Sequence, residues 1–325
     1  MMATFDELIA QVNDKVKEKR DRGTAFEKIV VAYLKNEPTY HNKFSHVWTL
    51  NEVPDEFGIS KKDTGVDIVA QDRITGGLTA VQAKFYKGKV SKETINSFIA
   101  EYSKNYYEAG ILVSTTDQWN KNAERALEGL SKPMTRVGLS QLEHANVDWE
   151  LFSFDQSNDH LRKQPKHLWD YQEEAVNKSL TYFKQHDRGK LIMAPGTGKT
   201  FTSLKIAEAL MKDQQKNSFN VLYLVPSIQL LSQTLFNWND DHDEQIYLNS
   251  FSVVSDAKAT KKKHGDDDLS AKDIGFPATT NVTQLINNYQ KIKPDKGKQM
   301  NVVFSTYQSI DVIHQAQVGG YPSLT

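Results

Sequence analysis

Three polar residues in the N-terminal half have the types and spacing that metal-assisted hydrolysis of a phosphodiester requires. Asp67 lies on one predicted strand, and Gln82 and Lys84 lie two residues apart on the next, so both point to one face. We expect Asp67, the amide oxygen of Gln82 and the backbone carbonyl of Ala83 to hold a divalent metal such as Mg²⁺. Lys84 would orient the attacking water. Glu27, on an upstream helix, would add the carboxylate that an uncharged glutamine does not supply.

A glycine-containing loop in the C-terminal half has the pattern of a phosphate-binding site. The loop comprises Pro195, Gly196, Thr197, Gly198, Lys199 and Thr200, with Met193 standing where the general pattern has its first glycine. Backbone N–H groups would surround the phosphate oxygens, and the positive end of the following helix would face them. Lys199 would reach the β- and γ-phosphates, and the Thr200 hydroxyl would complete the shell of a Mg²⁺ ion.

Composition limits the classes of protein that fit. A length of 325 residues predicts two domains at about 150 residues each. The net charge of −1 leaves any nucleic-acid contact to local basic patches. The absence of cysteine excludes disulfides and cysteine-based metal sites, and it agrees with a reducing compartment. With no secretion signal and no apolar run of about 18 residues, we expect a cytoplasmic protein without membrane contact.

Hydrophobic periodicity predicts an α/β first domain over residues 1–155. The expected helices cover 5–16, 23–34, 92 to about 107 and 120–130, and the expected strands cover 65–70, 78–86 and 110–114. The first two strands should form a hairpin through residues 75–77. The polar segment 156–166, which contains Pro165, predicts a linker.

Strands alternate with helices over residues 167–325, which predicts a parallel sheet. The expected strands are 191–193, 221–225, 250–254 and 302–305, and the expected helices are 172–184, 200–210 and one after Pro226. Residues 256–273 form a charged insertion that we expect to be a mobile loop.

Three segments surround the phosphate loop in a recognisable order. They are LWDYQ at 168–172, YLVPS at 223–227 and STYQS at 305–309. The series resembles the first motor domain of superfamily 2 helicases and DNA translocases, as found in Type I restriction motors. The resemblance implies ATP as the nucleotide, with Gln172 contacting adenine. It also implies that Pro226, Ser227, Thr306 and Tyr307 lie near DNA.

The acidic motif that such a motor needs, on a further apolar strand, does not occur before Thr325. We therefore expect a RecA-like domain that is incomplete at its C-terminus, in a chain that is the N-terminal part of a longer protein. By itself this part would not complete an ATPase cycle.

The metal-binding pattern of the first domain carries a second resemblance. RGTAFE at 22–27, DTGVDI at 63–68 and VQAKFY at 81–86 resemble the Mrr-like branch of the PD-(D/E)xK nucleases, in which glutamine replaces the acidic member of the final pair. The segment 110–116 fits the same restriction-endonuclease-like fold. Lys87 and Lys89, which follow the motif, are candidates for contacts with DNA phosphates.

A nuclease followed by such a motor resembles the N-terminal portion of single-polypeptide Type I (Type ISP) restriction-modification enzymes. The resemblance implies ATP-driven translocation along double-stranded DNA and Mg²⁺-dependent cleavage. It also implies further motor, methyltransferase and target-recognition domains on the same polypeptide, with S-adenosylmethionine as the methyltransferase cofactor. Two alternatives stay open: a helicase–nuclease of DNA defence or repair without a methyltransferase, and a DNA-binding module whose nuclease fold is inactive.

Overall fold

The computed structural model describes residues 4–15, 19–62, 65–86, 88–254, 271–292 and 297–320. It divides the chain into two compact units. The first contains Met1–Lys163 and Asp256–Thr279, and the second contains Gln164–Ser255 and Thr280–Thr325. The chain therefore passes between the units three times. The predicted linker at 156–166 accounts for the first passage, and residues 256–279 add a return to the first unit and a second passage to the second unit.

The first unit is built on one mixed sheet. Its elements are α1 (Phe5–Lys15), α2 (Lys19–Asn36), α3 (Pro38–Lys43), β1 (Phe44–Thr49), β2 (Ile68–Asp72), β3 (Leu78–Lys84), α4 (Lys92–Tyr102), β4 (Tyr107–Ser114), α5 (Lys121–Ala126), β5 (Met134–Val137) and α6 (Leu139–Glu143). The strand order follows the sequence, from β1 to β5. The pairs β1–β2 and β2–β3 are antiparallel, whereas β3–β4 and β4–β5 are parallel. The predicted hairpin is the β2–β3 pair.

Each face of this sheet has its own hydrophobic core, because successive side chains of a strand point to opposite faces. Val81 and Ala83 of β3 belong to the core that includes Phe26 and Ile29 of α2. Ala80 of β3 belongs to the other core, which includes α4 residues such as Phe98. The structure therefore fixes β3 between two helical layers.

Several boundaries in the first unit differ from the sequence-based expectation. The helix expected to reach residue 107 ends at Tyr102, and Tyr107 already opens β4. The Lys132 amino group donates to the Ser103 carbonyl at 3.0 Å and so stabilises the helix end there. The first hairpin strand begins at Ile68 rather than at residue 65.

The second unit contains α7 (Asp170–Phe183), α8 (Lys199–Asp213), β6 (Ser218–Val225), α9 (Ile228–Asp241) and β7 (Ile246–Val253). The chain then returns to the first unit, where it forms a short 3-10 helix (Ala271–Ile274). The two-residue strand β8 (Ala278–Thr279) follows and is the edge strand of the sheet ordered β6-β9-β7-β8. Back in the second unit it adds α10 (Val282–Gln290), β9 (Lys298–Thr306) and α11 (Ile310–Val318). β9 pairs in parallel with both β6 and β7, as the alternation of strands and helices predicts.

A row of asparagines helps to fix the register of these parallel strands. Asn220 and Asn249 both pair with Asn301 of β9. The Asn301 side chain donates to Asn220 Oδ1 at 2.8 Å and accepts from Asn249 Nδ2 at 2.8 Å. A shift of one residue would leave these buried amides without partners, so the register is well specified.

One expectation for the C-terminal half is wrong. Residues 191–193 form no strand in the described part of the chain, and Ile192 is 80% exposed. A buried parallel strand needs neighbours for its backbone groups, and none of the described strands pairs with this segment. Most of the charged insertion, residues 256–270, lies outside the described residues. Its last three residues belong to a 3-10 helix in which Asp273 pairs with Arg136.

No helix among the described residues is long and apolar enough to cross a membrane.

The hairpin turn between β2 and β3 depends on Asp72, so the structure predicts a local pH effect. The Asp72 carboxylate accepts from the backbone N–H groups of Ile74 and Thr75 at 2.8 and 2.9 Å and pairs with Lys43 at 2.7 Å. Burial by itself raises the pKa of Asp72, but Lys43 and these hydrogen bonds outweigh it and leave the pKa below its usual value. The resulting stabilisation is present above about pH 4 and is lost as the pH falls through the folded-state pKa.

We expect Asp72→Asn to lower the free energy of local opening of the hairpin by about 1–3 kcal/mol at pH 7. The measurement is hydrogen-exchange mass spectrometry of peptides covering residues 68–84 at several pH values. Asp155→Asn, at an exposed position of the same unit, is the control. Equal protection of the hairpin in both variants would contradict the role of Asp72.

Candidate functional sites

The predicted metal-binding residues come together where β2 begins and β3 ends. Asp67 lies immediately before β2, and its backbone N–H donates to the carbonyl of Val81 at 2.9 Å. Its carboxylate accepts from the backbone N–H of Ala83 at 2.8 Å. Two hydrogen bonds thus hold Asp67 against β3, one on each side of Gln82 in sequence.

Gln82 is fully buried, and its amide group is held in one orientation. Its Nε2 donates to the Gly65 carbonyl at 2.5 Å, while its Oε1 has no hydrogen-bond partner among the described residues. Gly65 has a φ of +93°, and a Cβ there would lie 2.5 Å from the Ser97 hydroxyl and 2.9 Å from the Phe98 nitrogen of α4. Only glycine fits this close approach, which places the carbonyl that orients the Gln82 amide.

An unpartnered buried amide oxygen is unfavourable by about 1–3 kcal/mol unless something binds it. A cation would satisfy Gln82 Oε1, and the nearby Asp67 carboxylate would balance the charge. The N–H and C=O groups of one strand residue point to the same side, so the Ala83 carbonyl faces the edge where its N–H meets Asp67. Carboxylate, amide and carbonyl oxygens are the ligands that Mg²⁺ prefers, so this donor set fits the ion.

Lys84 is the last residue of β3, and the neighbouring strand fixes its backbone. Its carbonyl accepts from the N–H of Thr115 at 3.2 Å. The Thr115 hydroxyl accepts from the N–H of Tyr86 at 2.7 Å and donates to the Tyr86 carbonyl at 2.9 Å. Lys84 and Gln82 alternate with Ala83 along the strand, so they share a face, as the sequence predicts.

Glu27 belongs to α2, which packs against the face of β3 opposite Gln82. Phe26, the residue before it, packs edge-on against Phe85 with ring centroids 5.9 Å apart, in the core that contains Ala83. Gln82 points the opposite way, towards the core of α4. The structure therefore groups Asp67, Gln82 and Ala83, while the participation of Glu27 stays a prediction. Within the described ranges, no cluster of three or more His, Cys, Asp or Glu residues could hold a metal. The proposed set contains only one such residue besides Glu27.

The two lysines expected to contact DNA follow β3. Lys89 is exposed, and Lys87 lies outside the described residues. Sequence reasoning missed two residues that support the site: Gly65, which orients Gln82, and Thr115, which holds the end of β3. The glycine two residues before Asp67 was a visible signal for the first, whereas nothing in the sequence singles out Thr115.

The phosphate loop precedes α8, with Gly198 at the N-cap and Lys199 as the first helical residue. Gly196 and Gly198 both have a φ of +77°. The Lys199 ammonium group donates to the carbonyls of Met193 and Ala194 at 3.2 and 3.3 Å. Trp238 of α9 donates through Nε1 to the Thr200 carbonyl at 3.2 Å, which ties the first turn of α8 to the neighbouring helix.

Gln172 supports the loop from the side of α7. Its Oε1 accepts from the N–H of Trp169 at 3.0 Å, and its Nε2 donates to the Thr197 carbonyl at 3.0 Å. The Tyr171 hydroxyl donates to the same carbonyl at 3.3 Å. Because both ends of its buried amide are engaged, Gln172 positions the phosphate loop here. The adenine contact implied by the resemblance stays a prediction.

A cavity of about 1030 Å³ lies over this loop. Its lining comes from the loop, the segment before α7 and the α9 residues Gln233, Asn237 and Asp241. Trp169, beside Gln172, is 70% exposed. The cavity has room for a nucleotide whose phosphates would meet the N-terminus of α8.

The four residues expected near DNA lie at the carboxyl ends of two paired strands, since Val225 of β6 pairs with Thr306 of β9. Pro226 and Tyr307 are exposed. The Ser227 hydroxyl caps α9 by accepting from the N–H of Leu230 at 3.3 Å. Thr306 is buried, and its hydroxyl lies 3.1 Å from that of Ser309. Two of the four thus have structural partners, and two face solvent.

Two family models match successive parts of the chain. A family model described as a restriction endonuclease matches residues 35–159, and one described as the res subunit of type III restriction enzymes matches residues 165–319. A solved structure of the ATP-dependent Type ISP restriction-modification enzyme LlaBIII bound to DNA is 48% identical over 99% of this chain, with a TM-score of 0.85. The chain spans 19% of the length of that solved chain.

A nuclease-deletion mutant of the Type ISP enzyme LlaGI, in complex with a DNA substrate mimic, is 47% identical. The match covers 49% of this chain and 14% of the solved LlaGI chain, with a TM-score of 0.40. A search of curated proteins gave no match.

The two loop glycines predict different effects of the same substitution. A Cβ at Gly196 meets nothing within 4 Å, whereas a Cβ at Gly198 would lie 2.5 Å from Gln172 Nε2. Alanine is strained at both positions by about 1–2 kcal/mol because of the positive φ. Only Gly198→Ala also displaces the Gln172 amide from the Thr197 carbonyl.

We expect Gly198→Ala to bind a fluorescent ATP analogue about fivefold to tenfold more weakly than Gly196→Ala, the loss of about one hydrogen bond. Equilibrium fluorescence titration gives both dissociation constants. Equal constants would show that Gln172 does not support the loop.

Proposed function

We propose that this chain, which matches an Mrr-like restriction endonuclease model followed by a ResIII helicase model, is part of a Type ISP restriction-modification enzyme, like the solved structure to which it is 48% identical. We propose that the first unit cleaves double-stranded DNA with Mg²⁺ and that the second binds ATP and contributes to ATP-driven translocation along DNA. One observation carries the nuclease proposal: the unpartnered buried Oε1 of Gln82, which directly precedes the residue whose N–H binds the Asp67 carboxylate.

In the nuclease site, Asp67, Gln82 and the carbonyl of Ala83 would hold Mg²⁺. When bound, the ion would lower the pKa of a water molecule and neutralise charge that develops on the phosphate. Asp67 is already held by two backbone hydrogen bonds, so little ordering is needed when the ligands engage. Lys84, on the face it shares with Gln82, would orient the attacking water or contact a non-bridging phosphate oxygen. Glu27 would add a second carboxylate at this edge.

In the motor unit, the phosphates of ATP would replace two loop carbonyls as partners of Lys199. The ammonium group now donates to Met193 and Ala194, and phosphate oxygens are stronger acceptors for a cation. Pro195, Gly196, Thr197 and Gly198 shape the loop, and the Thr200 hydroxyl would join the shell of the nucleotide-bound Mg²⁺. Gln172 would meet adenine from the rim of the cavity.

DNA contacts would come from local groups, since the chain as a whole is close to neutral. Lys87 and Lys89 follow the nuclease motif and would bind phosphates of the strand being cut. Pro226, Ser227, Thr306 and Tyr307 would contact the DNA that the motor moves along. The exposed Pro226 and Tyr307 supply the accessible part of that surface.

We further propose that a complete protein of this kind works in the cytoplasm. It would carry additional motor, methyltransferase and target-recognition domains, the methyltransferase using S-adenosylmethionine. The solved relative, whose chain is much longer than this one, supports that organisation.

The nuclease proposal predicts that Asp67→Asn and Lys84→Ala each reduce Mg²⁺-dependent plasmid cleavage by about 100-fold or more, because each removes a group that acts on the reacting phosphate. Cleavage is measured by gel electrophoresis of supercoiled plasmid. Lys121→Ala removes an exposed lysine from the same unit and should cut normally. Undiminished cutting by both site variants would overturn the assignment, and inactivity of the parent protein would favour an inactive nuclease fold.

The motor proposal predicts that Lys199→Ala weakens ATP binding about tenfold or more, since a charge-assisted bond to phosphate is lost. Titration with a fluorescent ATP analogue measures this, and the same variant of a complete protein should lose ATP hydrolysis and any cleavage that depends on it. The matched control is Lys184→Ala, an exposed lysine of the same unit. Normal ATP affinity in Lys199→Ala would refute the assigned role.

A further inference from the structure

A short segment of the chain folds away from its sequence neighbours. Residues Ala271–Phe276, here called the return segment, lie in sequence between β7 and α10 of the second unit but belong to the first unit. Two of its side chains are buried there: Ile274 is 0% exposed and Phe276 is 4% exposed. Burial of two large apolar side chains is a substantial favourable contribution, which indicates a specific docking site.

The strongest polar contact of the return segment is an ion pair with Arg136 of β5. The Nε of Arg136 donates to Asp273 Oδ1 at 2.8 Å, and its Nη2 donates to the same oxygen. Both side chains are largely buried, at 14% and 16% exposed. The Arg136 guanidinium also lies over the Trp119 ring, 5.0 Å from its centroid. A paired and stacked arginine of this kind is more specific than a surface ion pair.

The other end of the return segment meets α3. The buried Tyr40 hydroxyl donates to the Gly275 carbonyl, and the Lys43 ammonium lies over the Phe276 ring, 5.0 Å from its centroid. Lys43 is the residue that pairs with Asp72 at the turn of the β2–β3 hairpin. The return segment thus contacts a residue that stabilises the hairpin carrying the nuclease site.

Arg136 also lies in register with the nuclease site. It pairs with Leu112 of β4, and Leu112 pairs with Gln82 of β3. In a parallel sheet such a row of residues faces one side, with strands about 4.8 Å apart, so Arg136 lies two strands from Gln82 in the same row. β5 is the edge strand of the sheet, and the return segment covers it.

We infer that the return segment is an intramolecular docking element of the nuclease, and that the sheet holds Gln82 and Asp67 in their active geometry only while Asp273 is bound by Arg136. The docking surface comprises Arg136, Trp119, Tyr40 and Lys43, and its partner is the return segment of the same chain, through Asp273 and two buried apolar side chains. The functional part of this inference rests on the proposed nuclease activity. In sequence the return segment lies between β7 and α10 of the second unit. Its docking therefore connects the helicase sequence to the nuclease sheet through the chain itself.

Docking can be measured without any assay of activity. The chain has no cysteine, so Ile274→Cys introduces a single thiol at the buried centre of the return segment. We expect slow labelling by a maleimide, and labelling about tenfold faster when Asp273→Ala is added, since the loss of a buried charge-assisted pair favours undocking. Ile313→Cys, buried in α11, should keep its rate when Asp273→Ala is added. Fast labelling of Ile274→Cys in the otherwise unchanged chain would overturn the docking.

Cleavage of plasmid in Mg²⁺ tests the functional part. Asp273→Ala should lower cleavage about tenfold, and the exchange Arg136→Asp with Asp273→Arg should recover part of it, whereas Glu150→Gln at an exposed position should have no effect. Normal cleavage by Asp273→Ala, when its return segment labels fast, would overturn the coupling. If the unchanged chain does not cleave at all, the proposed nuclease function fails, while the labelling rates still decide whether the return segment docks.

Discussion

The candidate nuclease site depends on one hydrogen bond, from the backbone N–H of Ala83 to the carboxylate of Asp67. The bond forms just before β2 begins, where Ala83 has no backbone partner on β2. The Asp67 side chain accepts from the Ala83 N–H in its place. The bond fixes Asp67 beside Gln82 and turns the Ala83 carbonyl towards the same edge. Gly65 completes the arrangement, because its close approach to α4 provides the acceptor for the Gln82 amide and leaves Oε1 to a ligand.

The phosphate loop is organised by the same physical means, with side chains satisfying backbone groups that no regular element pairs. Gln172 and Tyr171 bind the Thr197 carbonyl, Lys199 binds two carbonyls before it, and Trp238 binds the carbonyl of Thr200. In the proposed function, phosphate would replace the bonds made by Lys199, whereas those made by Gln172 and Trp238 preserve the shape of the loop. Different side chains thus fix the loop and would bind the nucleotide. The loop already has its shape, so nucleotide binding would require little further ordering.

Sequence periodicity correctly predicted the elements in which buried apolar residues recur at helical spacing or alternate along a strand. The helices at α1, α7 and α8 and the β2–β3 hairpin belong to this group. Two edge strands were not predicted. In β1 most residues are exposed or half-buried, so apolar alternation is weak, and β5 has only four residues. The apolar segment 191–193 was predicted as a strand but forms none. Apolar character favours a strand, yet a strand also needs neighbouring strands to pair with.

The sequence by itself determined the chemistry available to this protein: Asp67, Gln82 and Lys84 at hairpin spacing, and a glycine loop ending in Lys199 and Thr200. Such patterns are local, and local spacing dictates which side chains share a face. Only the tertiary structure decided which groups meet across the fold. It packed α2, which carries Glu27, on the face of β3 opposite Gln82, used Gln172 to support the loop, and paired Asp273 with Arg136 at 137 positions' distance in sequence. Such contacts depend on chain reversals and packing between elements, which no local pattern encodes.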